Sequence, residues 1–125
     1  MRLSLTLLKP TFTVYRLSPQ AAIPAAALDS PFLAIARTDE ELSLVLPDTI
    51  EIKSERSDTG WACFKVDGPL EFSLVGTLAG IARTLARAQV SIFALSTFDT
   101  DYILVKREQV DAACEALMSA GYQVH

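Results

Sequence analysis

The run Ser91-Ile92-Phe93-Ala94-Leu95-Ser96-Thr97-Phe98-Asp99-Thr100-Asp101-Tyr102-Ile103-Leu104-Val105 decides the fold. Two apolar stretches, 91–97 and 102–105, flank Phe98-Asp99-Thr100-Asp101, a pattern that predicts a hairpin with a four-residue loop. Ahead of it, Leu78, Ile81, Ala82 and Leu85 recur at i, i+3, i+4 and i+7, with Arg83 and Arg87 on the opposite side. That spacing predicts an amphipathic helix, with Thr77 or Ser73 near its start as a cap. Residues 61–66 (WACFKV) form a strand pattern that stops at Asp67-Gly68-Pro69. Beyond the hairpin, Val110, Ala113, Cys114 and Leu117 mark a second helix, Gly121 stops it, and 122–124 make a short last strand. The order is β-α-β-β-α-β. Right-handed crossovers then place both helices on one face of a four-stranded antiparallel sheet, an α+β, ferredoxin-like arrangement.

Working outward, the first 60 residues read as a weaker copy. Residues 3–8 and 11–17 are strand patterns, 19–28 is an Ala-rich helix candidate interrupted by Pro24, and 32–37 with 42–46 bracket the acidic turn Thr38-Asp39-Glu40-Glu41. At an offset of about 60 the two hairpins align, pairing Phe32 with Ile92, Asp39 with Asp99, Glu41 with Asp101 and Leu44-Val45 with Leu104-Val105. The polar segment 51–60 (EIKSERSDTG) is the natural boundary, so the division expected is a degenerate unit 1–57 followed by a full unit 58–125.

Composition excludes several functions. The chain has 125 residues, half of them hydrophobic and 21% charged; its mean hydropathy is +0.30. A chain of this length buries roughly two thirds of its unfolded surface and sustains a core without staples. Its 15 acidic and 11 basic residues leave no cationic footprint for nucleic acid. Cys63 and Cys114 lie far apart with no second ligand at metal spacing, which argues against a metal or cofactor and reads as core filler in a reducing, cytoplasmic compartment. The single histidine, His125, closes the sequence, where Ser-His or Cys-His chemistry would rest on a frayed residue. The apolar stretch 3–8 is too short for a signal-peptide core. No segment approaches the roughly 20 apolar residues that cross a bilayer, so no membrane partner is expected.

The run 91–105, preceded by Gly76-Thr77-Leu78-Ala79-Gly80-Ile81-Ala82, resembles the ACT domain family, in the branch shared by small bacterial ACT proteins and the CASTOR-type amino-acid sensors. The resemblance covers residues 61–125 well; the first half follows it only in the order of its elements. It implies a non-catalytic regulatory module whose amino-acid ligand sits where two ACT units meet. The positions that match are Gly76 and Thr77, Ser91 and Ile92, and Thr97, Phe98 and Asp101. Chemistry agrees with each. A helix start behind a glycine suits a carboxylate, an extended segment offers main-chain hydrogen bonds, and Asp101 supplies an acceptor for the ammonium, with Asp99 competing for that role.

Each residue also has a plainer explanation. Gly76 can simply end a loop, both aspartates can stabilise a turn, Phe98 can plug the core, and Arg83 and Arg87 can be solvated. Catalysis of the acylphosphatase type, which small ferredoxin-like folds host, pairs an anion-cradling Arg with a water-orienting Asn; this sequence contains no Asn. RNA recognition is disfavoured by the acidic balance and the lack of an RNP-like motif. The remaining rival is an interaction domain with a vestigial pocket. A sheet with uncovered edges implies a homodimer or higher oligomer, and a protein partner is left open.

Overall fold

The computed structural model describes residues 3–68 and 76–125. Its elements run β1 (Ser4–Leu17), α1 (Ala25–Leu28), β2 (Ala34–Arg37), β3 (Leu42–Pro47), β4 (Arg56–Val66), α2 (Thr77–Arg87), β5 (Ile92–Ser96), β6 (Asp101–Lys106), a 3-10 turn (Arg107–Gln109), α3 (Val110–Ser119) and β7 (Gln123–Val124). The chain divides into two compact units, Pro10–Trp61 and Ala62–His125, the second joined by Met1–Lys9. This division lies a few residues beyond the 57/58 boundary and moves the first nine residues to the C-terminal unit.

In the C-terminal unit the strand order is β1-β4-β6-β5, with β7 on β1. The predicted α2 and α3 are present, and their stripes close over the sheet: Ile81, Leu85 and Leu117 pack with Phe64, Val66, Ile103 and Val105 in one cluster. The expected four-stranded, wholly antiparallel sheet needs correction. β7 pairs in parallel with β1, Ser4 opposite Gln123 and Leu5 opposite Val124. The reason is apolar supply. Leu5 is fully buried and Leu7 packs against the same cluster, which a two-residue strand cannot match.

The unit 10–61 has the order β2-β3-β1-β4 and a core of Tyr15, Leu17, Ala27, Leu42, Leu44 and Leu46. The helix expected over 19–28 shrinks to one turn, because Pro24 occupies its N-cap at φ −58° and ψ 140°. No second helix forms between β3 and β4. Instead Ile50 and Ile52 of the irregular segment pack on the core, and the Tyr15 hydroxyl donates to the Ile50 carbonyl at 3.1 Å.

Two more readings change. Residues 3–8 and 11–17 form one strand, since Lys9-Pro10 does not break it; Pro10 falls between the ladder with β7 and the ladder with β3, which starts at Phe12, so its missing N–H interrupts neither. The polar stretch 51–60 is also less of a linker than its composition implies, for β4 begins at Arg56 with its first four residues exposed.

The two hairpins correspond in their pairing at a register other than the expected one. Arg37 faces Leu42 across β2–β3, and Ser96 faces Asp101 across β5–β6. The hairpins therefore match in pairing at an offset of 59, and Asp101 corresponds to Leu42 rather than to Glu41. Burial agrees, because Leu44 and Leu46 belong to one core and their counterparts Ile103 and Val105 to the other.

Candidate ligand site

Asp101 is the first residue of β6 and shares its face with Ile103 and Val105, two residues apart each time. That is the face α2 and α3 cover. Asp101 thus stands at the end of the core rather than on an outward turn, and its Oδ1 accepts from the Ser96 hydroxyl at 2.6 Å. The turn beside it is tied down. Thr97 N–H donates to the Thr100 carbonyl at 2.8 Å, Thr100 N–H donates to the Thr97 hydroxyl at 3.3 Å, and the buried Thr100 hydroxyl donates to the Val66 carbonyl at the end of β4. Composition reading missed Ser96 and Thr100. The signal was available, since a threonine at each end of a four-residue turn can bond the backbone of both.

The start of α2 lies toward the same end. Its last turn leads through Val90 into β5, so its eleven residues, about 16 Å long at 1.5 Å per residue, run back toward the Ser96–Asp101 end. Gly76 is the N-cap at φ 85°, a left-handed conformation that glycine adopts without a Cβ penalty. It carries no side-chain cap, so the expected cap at Thr77 is not made: Thr77 is the first helical residue. Ser73, the alternative cap, lies outside the described residues. Among the described residues no side chain caps this start, and first-turn N–H groups are the donors that an anion would take.

Gly76, Thr77, Thr97, Phe98 and Asp101 are thereby brought toward one end of the unit. Ser91 and Ile92 are not. Ile92 pairs with Val105 at the far end of the hairpin and packs on the core, four residues and roughly 13 Å of extended strand from Ser96. Phe98 is no plug, being 81% exposed; Asp99 is exposed on the same turn.

A second carboxylate is built into this unit. Asp67 accepts from the hydroxyls of Ser4 and Thr6, both at 2.7 Å, and these bonds hold its pKa below the usual carboxylate value. His125 is not frayed: its N–H donates to the Leu5 carbonyl, its carbonyl accepts from Leu7, and Nε2 lies 2.7 Å from Ser4 Oγ. The Ser4 hydroxyl proton is directed to Asp67 rather than to the imidazole, so the histidine is not placed to activate Ser4 as a nucleophile. The unit 10–61 repeats the device, with Thr11 and Thr13 donating to Asp48. Burial pushes the Cys63 thiol up to about 12, and Cys114 is raised by burial and by Asp111, so neither is poised as a thiolate. Among the described residues no cluster of three His, Cys, Asp or Glu is placed to hold a metal, and no helix is long and apolar enough to cross a membrane.

Comparison with known proteins identifies the family. The profile of the ACT domain matches residues 56–119, which spans α2, the β5–β6 hairpin and α3. The chain belongs to the ACT domain family. A separate profile for an N-terminal domain matches residues 10–50 of this ACT protein. It is 30% identical over 101 residues to the cattle protein named cytosolic arginine sensor for mTORC1 subunit 1, a match that takes in 80% of this chain and 30% of that relative's length. Among solved structures, Atu0741 of Agrobacterium tumefaciens is 35% identical with a TM-score of 0.91, covering 100% of this chain and 93% of that one. The regulatory subunit of aspartate kinase from Thermus thermophilus shares the fold at 13% identity and a TM-score of 0.65, over 93% and 95% of the two chains.

Proposed function

We propose that this ACT protein is a non-catalytic regulatory module that binds a free amino acid at the end of the C-terminal unit where α2 begins and β6 starts. The observation that carries the reading is the Asp101 carboxylate, held by Ser96 on the helix-covered face, at the end of the unit where α2 starts behind Gly76. The carboxylate suits the ligand ammonium, and the N–H groups behind Gly76 suit its carboxylate. Thr100 acts as a positioning residue by fixing the turn to β4, and Phe98 and Thr97 form its exposed rim. Related proteins bear names that speak of arginine sensing and of kinase regulation, in keeping with such a role. The chain reads as two tandem ACT units with the first degenerate. The outer edges of β2 and β5, unpaired among the described residues, suit a homodimer in the cytoplasm, with the second copy supplying a facing wall.

A thermal-shift screen of the twenty amino acids tests the reading. A ligand at about 100 times its Kd stabilises by roughly 2.7 kcal/mol, a rise in Tm on the order of 10 °C for this length. Asp101→Ala is expected to cancel most of that rise while leaving the Tm of the free protein within a few degrees, and Asp99→Ala to cancel little of it. A full shift in Asp101→Ala, or no shift with any amino acid, leaves the interaction domain with a vestigial pocket as the better account.

A further inference from the structure

In the C-terminal unit the end of α2 and the start of α3 lie together. Residues 88–91 lead from α2 into β5, and the 3-10 turn leads from β6 into α3, while Ile92 at the start of β5 pairs with Val105 at the end of β6. The Gln109 side chain ties this end by donating to the Gln89 carbonyl at 3.2 Å. The two helices therefore run antiparallel over the sheet. Their outer faces carry opposite charge: Arg83 and Arg87 are exposed on α2, Asp111 and Glu115 on α3. Each stands two residues, about 200° of helix, from a fully buried side chain. Arg83 lies between Ile81 and Leu85, Arg87 follows Leu85, Asp111 precedes Ala113, and Glu115 lies between Ala113 and Leu117. All four point away from the sheet. Within each helix the two charges are alike and four residues apart, about 6 Å, a spacing that repels. Among the described residues none of the four takes part in an ion pair. The helix dipole accounts for Arg87 in the last turn of α2 and Asp111 in the first turn of α3, but it does not reach Arg83 and Glu115. Ahead of α3, Arg107 and Glu108 are neighbours of opposite sign that offset each other.

We infer that this helix face docks on the same face of a second copy, α2 of each on α3 of the other. A two-fold axis running between the helices and parallel to them does this and keeps like ends together. Arg87 then meets Asp111 of the other copy and Arg83 meets Glu115, and the symmetry repeats both pairs. The four-residue spacing is the same on both helices, so the pairs form together. A two-fold axis across the helices lays α2 on α2 and leaves the charges unmatched. A partner of one sign, such as a polyanion, matches one helix and is repelled by the other. Ala79, Ala86, Ala112 and Met118, also exposed on these helices, add no competing charge. The face is about 16 Å long and two helices wide, roughly 300 Å² per copy, less than half of what a standard interface takes from each partner. The contact is therefore weak and governed by charge. It is separate from the sheet edges and needs no bound ligand.

Sedimentation of the whole chain at concentrations up to about 1 mM, in low salt and in about 1 M salt, tests it. Wild type is expected to form, in low salt, a concentration-dependent species of twice the mass that it keeps in high salt. The pair Arg83→Glu with Arg87→Glu is expected to lose that species, and so is the pair Asp111→Lys with Glu115→Lys. An equimolar mixture of the two variants is expected to restore it, because each reversed helix then faces its opposite on the other chain. The chain with all four reversals keeps the wild-type net charge of −4 and is expected to associate as wild type does. All four positions are exposed, so the reversals leave the fold intact, which thermal melts of each variant check. No salt-sensitive doubling in wild type, doubling retained in either variant, or a mixture of folded variants that stays at the smaller mass would overturn the proposal. The species kept in high salt reports the sheet edges separately, so the two contacts fail independently.

Discussion

The hairpins β2–β3 and β5–β6 close on the same turn and carry different chemistry. In both, the turn's first threonine donates its N–H three residues on, Thr38 to the Glu41 carbonyl and Thr97 to the Thr100 carbonyl. Both threonine hydroxyls also accept turn N–H groups, from Glu40 and Glu41 in one case and from Thr100 in the other. After the turn they diverge. The position that opens the returning strand is Leu42, fully buried, in the first hairpin and Asp101, half-exposed, in the second. One backbone device thus closes a core in one unit and leaves a carboxylate at the end of the core in the other. The comparison teaches that one position of a shared turn decides whether a hairpin closes its core or ends it in a carboxylate.

The sharpest way to break this equivalence is to exchange the residues. Leu42→Asp is expected to destabilise by more than about 4 kcal/mol, because it buries an unpaired carboxylate. Asp101→Leu is expected to change stability by less than about 1 kcal/mol. Urea melts of the two variants check this, and equal losses would mean that the positions are not counterparts. Next in size, Leu85→Ala removes a fully buried side chain from the last turn of α2, at the end away from the proposed site, and is expected to lower stability by about 2–5 kcal/mol while the order of amino-acid preference in the thermal-shift screen stays unchanged. A changed preference would make that helix face part of the site.

Smaller effects concern the C-terminal unit's Asp67, held by two hydroxyls as Asp48 is in the other unit. Asp67→Asn is expected to lose about 1–2 kcal/mol at neutral pH through its weakened bonds to Ser4 and Thr6. The folded-state pKa of Asp67 is depressed, so its stabilisation is present above the unfolded value of about 3.9 and is lost as pH falls through the lower folded value. The gap between wild type and variant should therefore close in acid; a gap that persists at low pH would assign the loss to packing. The smallest effect belongs to Phe98. With most of its surface in water, Phe98→Ala is expected to stay within about 0.5 kcal/mol of wild type, and any larger loss in a sedimentation-monitored oligomer would point to burial between copies.

Much of the C-terminal unit was legible from residue pattern. The stripe of Leu78, Ile81 and Leu85 and the hairpin around Thr97–Asp101 each repeat with the period of their element, and local periodicity reports which side meets a core. The first unit was harder. Its one-turn helix is truncated by Pro24, and its segment 50–55 buries Ile50 and Ile52 without any regular period, so pattern reading found little to hold. The register slip between the repeats has the same origin: Leu44-Val45 matches Leu104-Val105 as well as it matches Ile103-Leu104 by hydrophobicity, and only strand pairing distinguishes them.

By itself the sequence determined the βαββαβ order and the two helix stripes, and it offered Asp99 and Asp101 as the acidic residues at the hairpin, because these depend on neighbours within a few turns of chain. Tertiary structure alone decided which residues share a place. It inserted β1 between β4 and β7, turned Asp101 to the helix-covered face with Ser96 as its donor, anchored Thr100 to Val66, and held Ser91 and Ile92 at the opposite end of the hairpin. It also set His125 beside Ser4, 121 residues away in the chain. Such contacts are fixed by strand pairing and core closure over long separations, for which no local spacing carries a signal.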